Sequence, residues 1–99
     1  MLNITKNTNE TELTVALTGR LDTTTAPELE KELKASLDGV TTLVIDMTAL
    51  DYISSAGLRV LLSAQKTMNK QGEMKAVHVG ETIMEILEVT GFSDILTIE

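Results

Sequence analysis

Residues 42–70, TLVIDMTALDYISSAGLRVLLSAQKTMNK, decide the fold of this chain because the spacing of apolar side chains changes within them. The continuous apolar run of Leu43, Val44 and Ile45 predicts a short buried strand over residues 42–45, which places Asp46 at its carboxyl end. From Leu58 onward the apolar positions recur every three or four residues, as on one face of a helix. The stretch therefore predicts a strand, a loop and a helix in that order.

The start of the predicted helix contains Ser54, Ser55 and Gly57. A serine at this position can accept a hydrogen bond from a free backbone N–H, and the positive end of a helix also favours a phosphate. Without further information, such a serine is more often a helix cap than a phosphorylation site. Gly57 lowers helix propensity, so we expect the backbone to approach either the sheet or a partner closely there.

The composition limits the possible functions. Ninety-nine residues predict one domain with a single core. A net charge of −7 disfavours nucleic acid and anionic membrane surfaces as partners. The absence of cysteine excludes disulfides and thiolate metal sites, and no apolar run approaches the length of about 20 residues that a membrane span needs. The amino terminus lacks the pattern of a secretion signal, so we expect a cytoplasmic protein.

The rest of the chain alternates between strand and helix patterns. The predicted elements are a hairpin in residues 2–17, a helix starting near Thr25 and ending before Gly39, a strand at residues 74–79, a helix between Gly80 and Gly91, and a short last strand at residues 95–98. With the central strand and helix, the order is β-β-α-β-α-β-α-β. This order predicts an α/β fold with a mixed β-sheet and helices packed mainly on one face.

Two polar loops follow the carboxyl ends of predicted strands, one after Asp22 and one after Asp46. Loops leaving the same end of neighbouring strands tend to meet, so Asp22, Asp46 and Ser55 could share one surface. A hydrolase reading of these residues is weak, because the only histidine, His78, falls in a strand pattern without a nucleophile elbow. The acidic residues lack the spacing of a metal loop, so we predict no catalytic residue, metal site or cofactor site.

Two segments carry a resemblance to a known family: GRLDTTTAPELE at residues 19–30 and LVIDMTALDYISSAGLRVLL at residues 43–62. Together they resemble the STAS domain in its stand-alone bacterial form, the anti-sigma factor antagonist. The resemblance covers essentially the whole chain, and the two motifs with their spacing are specific. It implies one STAS domain over residues 1–99 and a protein that is not an enzyme.

The function that the resemblance implies is a partner switch controlled by phosphorylation. The unphosphorylated protein would bind an anti-sigma factor that is also a serine kinase, and so release a sigma factor. The phosphorylated protein would dissociate until a PP2C-type phosphatase removed the phosphate. We expect a monomer that binds no nucleic acid, membrane or cofactor directly.

The resemblance also implies which residues carry the switch. The modified serine of the family lies two residues before the glycine of a Ser-x-Gly-Leu motif, which falls on Ser55, and Ser54 stands where several characterised members have Asp. The family aspartate after the second strand falls on Asp22. The predicted partner-binding residues are Asp22, Thr24, Ser54, Ser55, Gly57 and Arg59.

An alternative function uses the same fold without reversible phosphorylation. In that reading the chain is a scaffolding STAS subunit of a signalling or lipid-transport complex. The intact Ser-Ala-Gly-Leu sequence at residues 55–58 favours the phosphorylated switch.

Overall fold

The computed structural model describes residues 2–99, which form four strands, three α-helices and one 3-10 turn. In chain order these are β1 (Leu2–Asn9), β2 (Glu12–Leu21), α1 (Ala26–Ser36), β3 (Thr42–Ile53), α2 (Ser55–Gln71), β4 (Glu73–Val77), α3 (Glu81–Thr90) and the 3-10 turn Phe92–Asp94. The predicted α/β class and the order of the elements through α3 are confirmed.

The sheet has the strand order β1-β2-β3-β4. Strands β1 and β2 form an antiparallel hairpin, whereas β2, β3 and β4 run parallel to one another. Both crossover connections, through α1 and through α2, step in the same direction across the sheet. Because such connections are right-handed, α1 and α2 lie on one face of the sheet, and the two helices contact each other.

The core is aliphatic, as the low aromatic content predicts. Alternate residues of β2, namely Leu13, Val15 and Leu17, are buried, while Thr14 between them is only half-buried. Helix α3 packs against β3 and adds Ile83 and Leu87 to the same core. One continuous core therefore joins the helices to the sheet.

The prediction that the central strand ends at Asp46 is wrong, because β3 continues to Ile53. Two register shifts along the β2–β3 pair place an extra residue in β3 each time, so the strand passes Asp46 as a bulge. The Oδ1 atom of Asp46 accepts hydrogen bonds from the Thr48 backbone N–H at 3.0 Å and from the Thr48 hydroxyl at 2.5 Å. These bonds, the side-chain bond first, lower the pKa of Asp46.

The extra length of β3 separates Asp46 from the start of α2. Ile53 lies seven positions after Asp46 in β3, which corresponds to a distance on the order of 20 Å along the strand. The expectation that Asp46 shares a surface with Ser55 is therefore wrong. His78 is also remote from Ser55, because β4 ends at Val77, which pairs with Asp46. The predicted extension of that strand to residue 79 is likewise wrong, and His78 is exposed with a φ of 56°.

The predicted last strand at residues 95–98 does not form. After Gly91 the backbone turns, and the N–H groups of Ile95 and Leu96 both donate to the Phe92 carbonyl. Only Ile98 reaches the edge of β4, where it forms a single parallel bridge with Ala76. Because residues 92–96 form this turn, they do not extend along the sheet as a strand.

Candidate functional site

The carboxyl ends of β2 and β3 lie side by side and define one edge of the molecule. Leu21, the last residue of β2, pairs with Ile53, the last residue of β3. The backbone N–H of Ser54 then donates to the Leu21 carbonyl at 2.8 Å. The prediction that the loop after Asp22 meets the start of α2 is therefore confirmed.

The turn at residues 22–25, named the Asp22 turn here, is held by its own side chains. The Oδ1 atom of Asp22 accepts hydrogen bonds from the backbone N–H groups of Thr24 at 3.0 Å and Thr25 at 3.1 Å. The bond from the Thr25 N–H is the main reason why the pKa of Asp22 is lowered. The carboxylate is thus kept charged and fixed in direction, while the Thr24 side chain is exposed beside it.

Thr25 occupies the N-cap position of α1, as predicted, but its side chain does not cap the helix. Its hydroxyl instead donates to the Arg20 carbonyl at 2.8 Å and accepts from the Asp22 N–H at 2.9 Å. The buried Thr25 side chain therefore closes the turn back onto β2. These hydrogen bonds of Thr25 depend on the path of the backbone through the turn, and no pattern in the sequence predicts them.

Arg20 and Tyr52 were not predicted as part of this edge. The two residues are register partners at the ends of β2 and β3, and the guanidinium carbon of Arg20 lies 4.5 Å from the centre of the Tyr52 ring. The Nε atom of Arg20 is also 3.9 Å from Oδ2 of Asp22. The only available signal was that both residues stand just before polar loops.

The two serines at the start of α2 have different roles. Ser54 is the N-cap: its Oγ accepts a hydrogen bond from the Gly57 N–H at 3.3 Å, and its carbonyl accepts one from the Leu58 N–H at 2.9 Å. Ser55 is the first residue of the helix and is exposed. Within residues 2–99 its hydroxyl forms no hydrogen bond, so it is available for chemistry or for a partner.

Gly57 is buried, and the close approach predicted for it is to the sheet. A Cβ atom at this position would lie 2.6 Å from Cγ of Leu21 and 3.1 Å from Cγ1 of Ile53. The 2.6 Å distance is shorter than a carbon–carbon contact allows, and the 3.1 Å distance is tighter than an ordinary contact. Gly57 therefore sets how closely α2 sits on the strand ends and does not itself face solvent.

Arg59 lies one turn along α2 from Ser55 and is exposed. Together with Pro27 and Ala56 it lines a shallow groove between α1 and α2 that opens beside the Asp22 turn. No ion pair of Arg59 occurs in the part of the chain that the structure describes. The edge thus combines a fixed carboxylate, a free hydroxyl and an uncommitted guanidinium.

Some kinds of site are not found in the described residues. No group of three or more His, Cys, Asp or Glu side chains between residues 2 and 99 is arranged to hold a metal ion. Over the same residues, every helix is too short or too polar to cross a lipid bilayer.

Comparisons with known proteins agree with the observed fold. The sequence model of the STAS domain matches residues 3–99. BtrV of Bordetella bronchiseptica, named as a candidate anti-sigma factor antagonist, is 39% identical over 88 residues, or 87% of this chain and 76% of BtrV. The anti-sigma-B factor antagonist of Bacillus subtilis is 29% identical over 98% of this chain and 90% of its own length. A crystal structure of an anti-sigma factor antagonist from Mycobacterium paratuberculosis shares the fold, with a TM-score of 0.89 at 24% identity over 99% of this chain and 85% of that one.

Proposed function

The chain belongs to the STAS domain family, and we propose that it is an anti-sigma factor antagonist that works as a phosphorylation-controlled partner switch. The observation that carries this proposal is the exposed hydroxyl of Ser55 at the start of α2, beside the Asp22 turn. The names of the relatives from Bordetella bronchiseptica and Bacillus subtilis support the same function.

In its unphosphorylated form the protein binds an anti-sigma factor that is also a serine kinase, and the sigma factor is released. The contact surface consists of the exposed or half-buried residues at this edge, with Gly57 beneath them setting the position of α2: Asp22, Thr24, Ser54, Ser55 and Arg59. Several of these side chains or their backbones are fixed by hydrogen bonds within the edge. A surface held in this way loses little conformational entropy on binding.

Phosphorylation of Ser55 ends the interaction. A phosphate adds about −1.5 to −2 charges at pH 7 and requires space where the partner fitted a neutral hydroxyl. The charged carboxylate of Asp22 adds to the negative potential at the same edge. The fold itself tolerates the phosphate, because the first turn of a helix favours negative charge.

The protein is a substrate and a ligand in this cycle, not an enzyme. The kinase brings the nucleotide, and a PP2C-type phosphatase removes the phosphate and resets the switch. We propose that the chain acts as a cytoplasmic monomer, and size-exclusion chromatography of the purified protein tests the oligomeric state.

The test is phosphorylation by candidate serine kinases and ATP, measured by intact mass and phosphopeptide mapping. We expect one phosphate on Ser55. Ser55→Ala should bind the anti-sigma factor and accept no phosphate, whereas Ser54→Ala should still be phosphorylated although it loses the helix cap. A phosphate mapped to Ser54, or a Ser55→Ala protein that is phosphorylated at the wild-type rate, would contradict the assignment.

The same experiment distinguishes the proposed switch from the alternative of a scaffolding STAS subunit. Such a subunit would bind its complex through this fold without changing mass in the presence of kinase and ATP. A stable complex with the anti-sigma factor that no kinase disrupts would favour the scaffold.

A further inference from the structure

The two arginines of the chain both lie at the edge where α2 begins. The chain has eight Lys and Arg residues, and only Arg20 and Arg59 are arginines. A guanidinium presents a planar fork that matches a phosphate with two parallel hydrogen bonds, which an ammonium group cannot do. The cations best suited to a phosphate are therefore concentrated near the proposed phosphorylation site.

The two arginines differ in what they already contact. Arg20 is stacked on Tyr52 and lies 3.9 Å from the Asp22 carboxylate. Arg59 forms no ion pair within residues 2–99. Glu30 lines the same groove as Arg59, but it pairs with Lys34 at 3.5 Å. Arg59 is thus exposed and free to bind a new anion.

The helix brings Arg59 close to Ser55. Residues four apart in a helix are neighbours on its surface, with Cβ atoms about 5–6 Å apart. An acidic group placed four residues before a basic one has the favourable orientation along the helix. Both positions are exposed in α2, so a side chain of either residue can reach the other through solvent.

We propose that Arg59 binds the phosphate of phosphorylated Ser55 within the same helix. This inference rests on the proposed function, because it takes Ser55 as the modified residue. Its consequence is that one modification changes two partner contacts: the hydroxyl becomes a phosphate, and the guanidinium is withdrawn to bind it. Phosphorylation would then lower the affinity for the partner by more than the added charge alone would.

The test uses protein in which phosphoserine is incorporated at position 55 during translation, so that no kinase is needed. The second pKa of the phosphate is measured by phosphorus NMR titration in the wild-type background and in Arg59→Gln. Loss of the pair should raise that pKa by about 0.3. The matched control is Lys66→Gln, which removes the same charge from the same helix at a site about 16 Å from Ser55 along the helix axis; it should leave the pKa unchanged.

A second readout follows the Arg59 Nε–H resonance, which should shift when position 55 carries phosphoserine in place of serine. Failure of the proposed function and failure of the proposed pair between Arg59 and the phosphate can be distinguished. If no kinase modifies Ser55, the proposed function is wrong while the titration still reports on the pair. If Arg59→Gln and the wild-type background give the same phosphate pKa and the Nε–H resonance does not move, the pairing is wrong whatever the kinase does.

Discussion

At Asp22 and at Asp46 a carboxylate oxygen accepts a hydrogen bond from the backbone N–H two residues later, and the distance is 3.0 Å in both places. The path of the backbone after the two aspartates is different. At Asp22 the strand has already ended, and the Asp22 carbonyl accepts a hydrogen bond from the N–H of Ala26, the first residue of α1. After Asp46 the chain bulges at residues 46–48, named the Asp46 bulge here, and β3 resumes.

The difference comes from the residues that follow each aspartate. Beyond the Asp46 bulge, Leu50 and Ile53 are buried and pair with Gly19 and Leu21 of β2. Beyond Asp22, Pro27 follows Ala26 in the first turn of α1 and suits a helix start. The same local hydrogen bond therefore makes a turn or a bulge according to what the next residues can bury. One region builds the edge proposed for the partner, and the other only maintains the strand that leads to it.

The largest effect is expected from adding a side-chain atom at Gly57, where α2 contacts the ends of β2 and β3. Gly57→Ala places a Cβ atom 2.6 Å from Leu21 Cγ and should lower the free energy of unfolding by about 2 kcal/mol. Thermal unfolding should then occur roughly 10 °C lower. Gly80→Ala is the matched control, because nothing lies within 4 Å of the added Cβ there. Equal melting temperatures for the two variants would show that α2 does not sit tightly on the strand ends.

The next prediction separates the two aspartates by their effect on binding. Asp22→Ala should weaken binding of the anti-sigma factor roughly tenfold, because it removes a charged group from the proposed surface. Asp46→Ala should leave that affinity unchanged, since the bulge lies on the order of 20 Å along β3 from the residues that begin α2. Titration calorimetry with both variants measures these affinities. Equal affinities for the two variants would contradict the prediction that only Asp22 lies in the interface.

The reverse comparison concerns stability. Asp46→Ala removes two hydrogen bonds within the bulge and should lower the free energy of unfolding by about 1 kcal/mol. Chemical denaturation monitored by circular dichroism gives this value. A variant as stable as the wild type would mean that the burial of Leu50 and Ile53 is sufficient to form the bulge without the carboxylate.

The smallest expected effect is on the pH dependence of stability. The pKa values of Asp22 and Asp46 are lowered in the fold from 3.8, so each carboxylate stabilises the protein above that pH. This contribution is lost as the pH falls through 3.8 and the lower folded pKa, because the unfolded state then binds protons more readily. Asp46→Asn should be less stable than the wild type at pH 7, and the difference should shrink by pH 3. Melting temperatures at both pH values test this, and a constant difference would contradict it.

Much of the fold follows from periodicity in the sequence, and the main error has a physical cause. The buried positions of β3 after Ile45 are Met47, Leu50 and Ile53, so their spacing grows from two residues to three. Each bulge adds one residue to β3, and an alternating pattern is no longer visible beyond Asp46. A strand that contains bulges therefore resembles a loop when it is read as sequence.

The candidate site was predictable in part for similar reasons. Asp22, Ser54 and Ser55 stand at ends of predicted elements, so their common edge followed from parallel strands. Which serine caps the helix depends on the residue at which α2 begins, and sequence patterns locate helix ends only approximately. The stacking of Arg20 on Tyr52 depends on the second register shift between β2 and β3, which no pattern in the sequence indicates.

The hydrogen bond from the Ser54 N–H to the Leu21 carbonyl bears on how fast the proposed switch could respond. This bond continues the pairing of β2 and β3 into the first residue of the site, so the edge needs no loop closure or domain motion before it is recognised. Motions of that kind take microseconds to milliseconds or longer. A site already held in its binding geometry has no such waiting time, so the response rate of the proposed switch would be set by phosphoryl transfer and by dissociation of the partner.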